Sequence, residues 1–179
     1  MRSERQVNCC AMMSFVVRPA EQTELRELAA LWHQAWHDVH AQIVPTELTR
    51  LRPVEHFRQR IEAALANTRV VGPVDAPQGL CLIKGSELYQ LFVARAARGT
   101  GVAAALIDEA EARLARQGVE TGWLACAIGN VRAARFYEKR GWCRMGTMVN
   151  AAETASGDFQ LKVWRYEKSL ACVSRPHED

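Results

Sequence analysis

An apolar, strand-like run from Leu88 to Val93 is followed by Arg98-Gly99-Thr100-Gly101-Val102-Ala103, which leads straight into a helix-like stripe reaching Ala115. This strand-turn-helix succession constrains the chain more than any other feature. Two glycines flanking one residue at such a turn leave main-chain N–H groups uncovered by side chains. Those groups sit at the positive end of a helix dipole, where a phosphate or pyrophosphate binds well. Arg98 adds a fixed cation beside them. The turn is built to hold an anion.

Three loop types fit glycines of this kind. A Walker-type loop needs Gly-x4-Gly-Lys-Ser/Thr, and no Lys-Ser/Thr pair follows these glycines. Gly99-x-Gly101-x-x-Ala104 matches a dinucleotide fingerprint, but Ala94 to Arg98 separate it from its strand. The following strand, Gly122 to Ala127, leads into Gly129-Asn130 with no acid to hold a ribose, and Glu120 precedes that strand. The nicotinamide reading fails. The remaining pattern is Arg-x-x-Gly-x-Gly/Ala, and a second segment about thirty residues on supports it: Asn130-Val-Arg-Ala-Ala-Arg-Phe-Tyr-Glu-Lys-Arg-Gly-Trp142.

Together the two segments resemble the GNAT superfamily of acyl-CoA-dependent N-acetyltransferases. The first matches its pyrophosphate motif, preceded by Glu87-Leu-Tyr-Gln-Leu-Phe-Val93 in place of its central strand. The second matches its Asn-x-x-Ala-x-x-Phe-Tyr-x-x-x-Gly-Phe helix. The likeness is specific over roughly residues 79 to 168 and only general over 14 to 78.

At 179 residues, 49% apolar and 24% charged, the chain has the length and composition of one globular domain. We expect a loose extension over 1–13, a single domain over 14–170 and a tail over 171–179. Net charge is +3, with basic and acidic residues interleaved, which argues against a nucleic-acid groove. No stretch approaches membrane-spanning length, and the N-terminus lacks an apolar signal core. The six cysteines show no Cys-x-x-Cys spacing, and Cys81 and Cys126 fall in apolar strands, so a reducing cytoplasm is expected.

Ser14 to Ala20 reads as a strand and Glu21 to Val39 as a helix with Leu25, Leu28, Trp32, Ala35, Trp36 and Val39 on one face. After Pro45, a second helix runs from Val54 to Ala66. Thr68 to Gly72, Leu80 to Lys84 and Glu87 to Val93 read as a meander. The glycine turn, a helix to about Gln117, a strand to Ala127 and the Asn130 helix follow. Trp142 to Asn150 and Phe159 to Glu167 form a closing hairpin with a longer connection. The expected class is α/β of the α+β type: a central, mixed, mostly antiparallel sheet of about six to seven strands with about four helices. The GNAT fold has this layout, its last strands splayed to admit the pantetheine arm.

The resemblance implies acetyl transfer from acetyl-CoA to a primary amine of a small molecule or peptide, by direct attack through a tetrahedral intermediate. Main chain from Arg98, Gly99, Thr100, Gly101, Val102 and Ala103 would take the pyrophosphate, with Arg95 or Arg98 reaching the outer phosphates. Leu91, Phe92 and Val93 would lie along the cofactor, with a backbone N–H of Phe92 or Val93 stabilising the oxyanion. Asn130, Ala133 and Phe136 would complete the cofactor side, although Asn130 also suits a plain helix cap. Tyr137 matches the family's general acid. Because a tyrosine near ~10 is a weaker acid than a thiol near ~8.5, a hydrogen bond that tightens on sulfur suits it better than early proton transfer. Glu87 is a candidate base, placed by period-2 alternation on one face with Tyr89, Leu91 and Val93, and water relayed from several polar groups is another family solution.

His33, His37 and His40 share a helical face, yet no His-Glu-x-x-His pattern or fourth ligand accompanies them, and no metal is expected. Since the first helices wall the acceptor pocket in GNAT folds, Trp36, His37, His40 and Tyr89 are candidates for acceptor contact, the histidines also for base work. Partners are thus an amine acceptor and, as GNAT domains often pair through their C-terminal strands, a second copy in a homodimer. A catalytically silent acyl-CoA-binding sensor is the alternative; Tyr137 and the unbroken turn favour the enzyme. A GNAT-type toxin acting on aminoacyl-tRNA would need a concentrated basic face.

Overall fold

The computed structural model describes residues 15–171. The extension over 1–13 and nearly all of the tail therefore lie outside the described residues, as do Cys9, Cys10 and Cys172. β1 (Val17–Pro19) is followed by a 3-10 turn (Gln22–Glu24) and then α1 (Leu25–His40), α2 (Thr46–Arg50) and α3 (Val54–Ala63). β2 (Thr68–Val71), β3 (Gly79–Lys84) and β4 (Glu87–Val93) form the meander. α4 (Val102–Arg116), β5 (Thr121–Ala127), α5 (Val131–Lys139), β6 (Cys143–Thr154) and β7 (Gly157–Ser169) complete the chain. The seven strands lie in the order β1-β2-β3-β4-β5-β7-β6, so the expected mixed, mostly antiparallel sheet is present. One helix more than expected, the five-residue α2, forms directly after Pro45, whose fixed φ suits a helix start.

The sheet carries a core on each face. Val70, Leu80 and Phe92 pack with Leu28, Trp32, Phe57 and Ile61 beneath α1 and α3. Val71, Cys81 and Ile83 pack with Leu106, Ile107 and Leu114 of α4. Neighbouring strand residues thus feed opposite layers, as the pleat requires. Gly79 lets α4 approach closely, since a Cβ there would lie 2.8 Å from Val102 Cγ1 and 2.9 Å from Leu106 Cδ1.

Two irregularities shape the centre of the sheet. Among the described residues β4 and β5 are the only parallel neighbours, and they pair at one register position, Glu87 with Trp123, supported by the Trp123 N–H donating to Ser86 O at 3.1 Å. Beyond it they part and leave a cleft. Within β4, Gln90 pairs with Leu82 and Leu88 with Ile83, so Tyr89 is an extra, bulged residue. The bulge overturns strict period-2 alternation: Leu91 and Val93 pack in the same layer as Leu88, against α4, while Phe92 packs beneath α1. Glu87 and Tyr89 therefore do not share a face with Leu91 and Val93.

The closing hairpin also departs from expectation. Its connection is the two residues Ala155 and Ser156, because the strands run on until Thr154 pairs with Gly157, a glycine at φ +115°. The hairpin tip docks on the α2–α3 junction, where the Ala155 N–H donates to Leu51 O at 3.2 Å.

Candidate functional site

Gly99 (φ +84°) and Gly101 (φ +106°) adopt the left-handed conformation that glycine takes without a Cβ penalty. Gly101 is the N-cap of α4 and offers no side-chain oxygen, so the first-turn N–H groups have no side-chain cap. A cavity of about 550 Å³ opens beside them. It runs from Arg98, Gly99, Gly101 and Ala103 past Leu91, Phe92 and Val93 to Asn130, Ala133, Phe136 and Tyr137. The residues assigned from sequence to the cofactor thus come together, with two exceptions. Val102 is fully buried in the core, and Thr100 turns its hydroxyl back to donate to Ala97 O at 2.7 Å. Both offer the cavity main chain at most.

The cations are arranged differently from the sequence reading. Arg98 donates from Nε to Val93 O (3.3 Å) and from Nη2 to Asp38 Oδ2 (3.1 Å), which ties the turn to α1. Hydrogen bonds from Gln34 first, and then Arg98, hold the Asp38 carboxyl below its ordinary range. Arg95 lines a separate hollow with Glu27, Asp75 and Pro77. Arg132, which sequence reasoning passed over, stands exposed on the α5 wall of the large cavity. Asn130 does cap α5, its Oδ1 accepting from the Ala133 N–H at 3.2 Å, while also lining the cavity.

A smaller cavity of about 120 Å³ lies where β4 and β5 part. Leu91, Phe92, Asn130, Ala133 and Tyr137 line both cavities, so the two adjoin along these residues, Tyr137 among them. Tyr137 is 9% exposed, and burial pushes its hydroxyl well above the usual phenol range. Glu87 lines the smaller cavity, is 8% exposed, and is pushed by burial up to about 7. A carboxyl poised there is half-ionised near neutrality, which suits a base. Cys126 is a neighbour in the same cavity, but burial raises its thiol to about 12 and leaves it protonated.

Trp36, His40 and Tyr89 line the small cavity, but His37 does not. The His37 ring sits beside His33 (4.2 Å between centroids), with Nε2 3.5 Å from Arg52 O. His40 stacks on Trp36 at 4.9 Å and donates from Nδ1 to Trp36 O at 2.9 Å. Burial lowers it to about 4, so it is a neutral imidazole whose Nε2 accepts hydrogen bonds rather than a base of useful strength. The three imidazoles do not converge, and among the described residues no group of three or more His, Cys, Asp or Glu could hold a metal ion.

A buried charge network also lines this region, and no sequence signal marked it. Tyr89 Oη accepts from Arg60 Nη2 at 2.5 Å, and burial pushes the phenol up to about 12. Arg60 pairs with Glu153 Oε2 at 3.0 Å and lies over the Trp32 ring at 4.5 Å. Arg52 lines the cavity itself and donates from Nε to the Glu153 carbonyl at 3.0 Å. These residues come from the α2–α3 region, β4 and the β6 end of the hairpin, too far apart in sequence for any local pattern.

Comparison with known proteins gives the fold that carries this groove and cavity its family. Residues 24–142 match the acetyltransferase (GNAT) family. An uncharacterized N-acetyltransferase of Mycobacterium tuberculosis is 34% identical over 114 residues, covering 60% of this chain and 69% of the relative. Among solved structures, a GCN5-related N-acetyltransferase from Rhodopseudomonas palustris superposes with a TM-score of 0.69 at 19% identity, covering 87% of this chain and 96% of the other. PaiA N-acetyltransferase from Thermoplasma acidophilum, solved with coenzyme A, gives 0.65 at 18% identity over 88% and 99% of the two chains. With most of its length matching the family profile and its fold shared with these enzymes, the chain belongs to the GNAT family of acetyltransferases.

Proposed function

We propose that the protein transfers an acetyl group from acetyl-CoA to a primary amine by direct attack, the large cavity holding the thioester and the small one the acceptor. The observation that carries this reading is that the two cavities adjoin along residues that include Tyr137, with Glu87 in the acceptor half. The uncapped N–H groups of α4 suit the pyrophosphate, and Arg132 suits the outer phosphates better than Arg98, whose guanidinium is engaged by Asp38. Bound there, acetyl-CoA would supply an activated thioester, with coenzyme A leaving as the thiol.

Glu87 accepts the proton of the incoming amine. From a lysine-like amine near ~10.4 to an ordinary carboxylate near ~4.3, that transfer is uphill by roughly 8 kcal/mol. At about 7 the deficit falls to roughly 5 kcal/mol, so burial of Glu87 removes a substantial part of it. A main-chain N–H at Phe92 or Val93 serves the developing oxyanion, since the β4 edge is unpaired where β5 departs. Tyr137 stays protonated because of its burial and donates to the departing sulfur. A reducing cytoplasm suits the free Cys81 and Cys126 thiols, both buried.

Calorimetry with acetyl-CoA and a thiol-release assay across an amine panel test this reading. Binding together with amine-dependent release supports it. Binding without release for any amine favours a silent acyl-CoA sensor, and no binding removes both.

A further inference from the structure

Arg52 is 7% exposed and lines the small cavity. Its guanidinium has five N–H donors, of which Nε–H is used on the Glu153 carbonyl at 3.0 Å. One face lies 4.9 Å over the Trp36 ring. Among the described residues it takes part in no ion pair. The nearby carboxylate of Glu153 is already shared between Arg60 Nε (3.0 Å) and Lys84 Nζ (3.2 Å). Arg60 also donates to Tyr89, so it is committed to the wall rather than to the cavity. Glu87 is partly protonated near neutrality and supplies less than one negative charge.

The acceptor side therefore keeps a buried cation without an ion pair of its own, the nearest carboxylate, that of Glu153, being held by Arg60 and Lys84. Burial, and then Arg60, push Arg52 down to about 10, which reflects the same imbalance. A buried unpaired charge costs several kcal/mol, and a fold that retains one in a cavity gains most when an anion enters. Arginine offers a planar fork that fits a carboxylate with two parallel bonds. The cavity, at about 120 Å³, has several times the room a single water needs and admits a compact head group. Glu87 in the same cavity provides the complementary position for the amine.

We propose that the acceptor is an amine that also carries a carboxylate, and that Arg52 holds that carboxylate in the small cavity. This rests on the acetyl-transfer reading above and narrows its substrate class. Arg52 acts on binding, so its loss should raise the acceptor KM far more than it lowers kcat.

The test uses the full chain, as wild type, Arg52→Gln and Arg52→Lys. The probes are the twenty standard amino acids, their amides, their decarboxylated amines and, against glycine, aminomethylphosphonate. Thiol release should favour the best amino acid over its own amide and amine by about tenfold or more in kcat/KM. Arg52→Gln should remove that preference through a KM about 30-fold higher for the carboxylate, leaving the amide within about threefold. Arg52→Lys, which keeps the charge without the fork, should recover part of it.

Equal or better turnover of amides, a preference for the phosphonate, or an equal loss on all acceptors in Arg52→Gln overturns the proposal. If coenzyme A binds but no amine releases thiol, the transfer reading fails by itself. Calorimetry of the same probes on the coenzyme A-bound protein then decides the pocket. Carboxylate binding that is lost in Arg52→Gln and partly kept in Arg52→Lys supports the proposal, and its absence in wild type overturns it.

Discussion

The large cavity owes its character to main chain from one continuous stretch, the glycine turn and the start of α4, set against β4 and two further helices, α1 and α5. The small cavity owes its character to side chains gathered from α1, the α2–α3 junction, β4 and β6, and two of its supports, Arg52 and Glu153, are 101 positions apart. On the proposed reading the first takes any molecule presenting a diphosphate, because peptide N–H groups do not vary with sequence. The second can discriminate, because every charge in it belongs to a replaceable side chain. A cofactor common to a whole family and an acceptor particular to one member call for that division.

The contrast predicts unequal sensitivity. Replacing both Gly99 and Gly101 by Val forces two left-handed positions onto branched residues at roughly 1–2 kcal/mol each, and distorts the anion site as well. Calorimetry should show acetyl-CoA affinity falling on the order of 100-fold; unchanged affinity would break the comparison at its main-chain end. Glu87→Gln should lower kcat/KM by on the order of 100-fold at pH 8. It should also remove the limb of the wild-type profile that rises tenfold per pH unit below about 7.

The same carboxyl has a stability signature of opposite sense. Its folded value of about 7 lies above the ordinary 4.5, so the native state holds the proton more tightly than the unfolded chain. The contribution of Glu87 to stability should therefore fall as pH rises from about 4.5 to about 7, by on the order of 3 kcal/mol, against the opposite contribution of the buried His40, and Glu87→Gln should remove that contribution alone. Denaturant melts at pH 5 and pH 8 read it; parallel slopes in the two proteins would refute the burial argument.

Tyr137→Phe should reduce kcat about tenfold or more while acetyl-CoA affinity holds within about twofold, since the junction needs the hydroxyl and the groove only the ring. Pre-steady-state thiol release checks it. The smallest effect expected is at Asn130→Ala, where loss of the α5 cap costs about 1 kcal/mol of stability and little affinity. A large affinity loss there would mean that the groove depends on side chains after all.

Legibility followed the same division. The glycine turn, the Asn130 cap and Tyr137 were readable because each rests on local spacing along one or two elements. Glu87 was found at its strand start, but its burial depends on the hairpin and helices folded over it. Arg52 sits between Leu51 and Pro53 at a helix break with no local sign of a role, and only the fold brings it to Glu153. His37 and His40 looked equivalent on a helical wheel, yet packing sends one imidazole to His33 and the other to the cavity. The placement of Leu91 and Val93 failed for a sharper reason: alternation counts residues, and an unpaired residue shifts the count.

That unpaired residue, Tyr89, acts as a phase shifter in the middle of the strand. It lets the half of β4 that lines the small cavity and the half that lines the large one keep independent patterns, so drift in one leaves the lining of the other intact. Deleting a single codon at this point would leave Leu88 opposite Ile83 and Glu87 opposite Lys84, so the carboxyl would keep its place in the cavity while the Tyr89 ring and its bond to Arg60 would go.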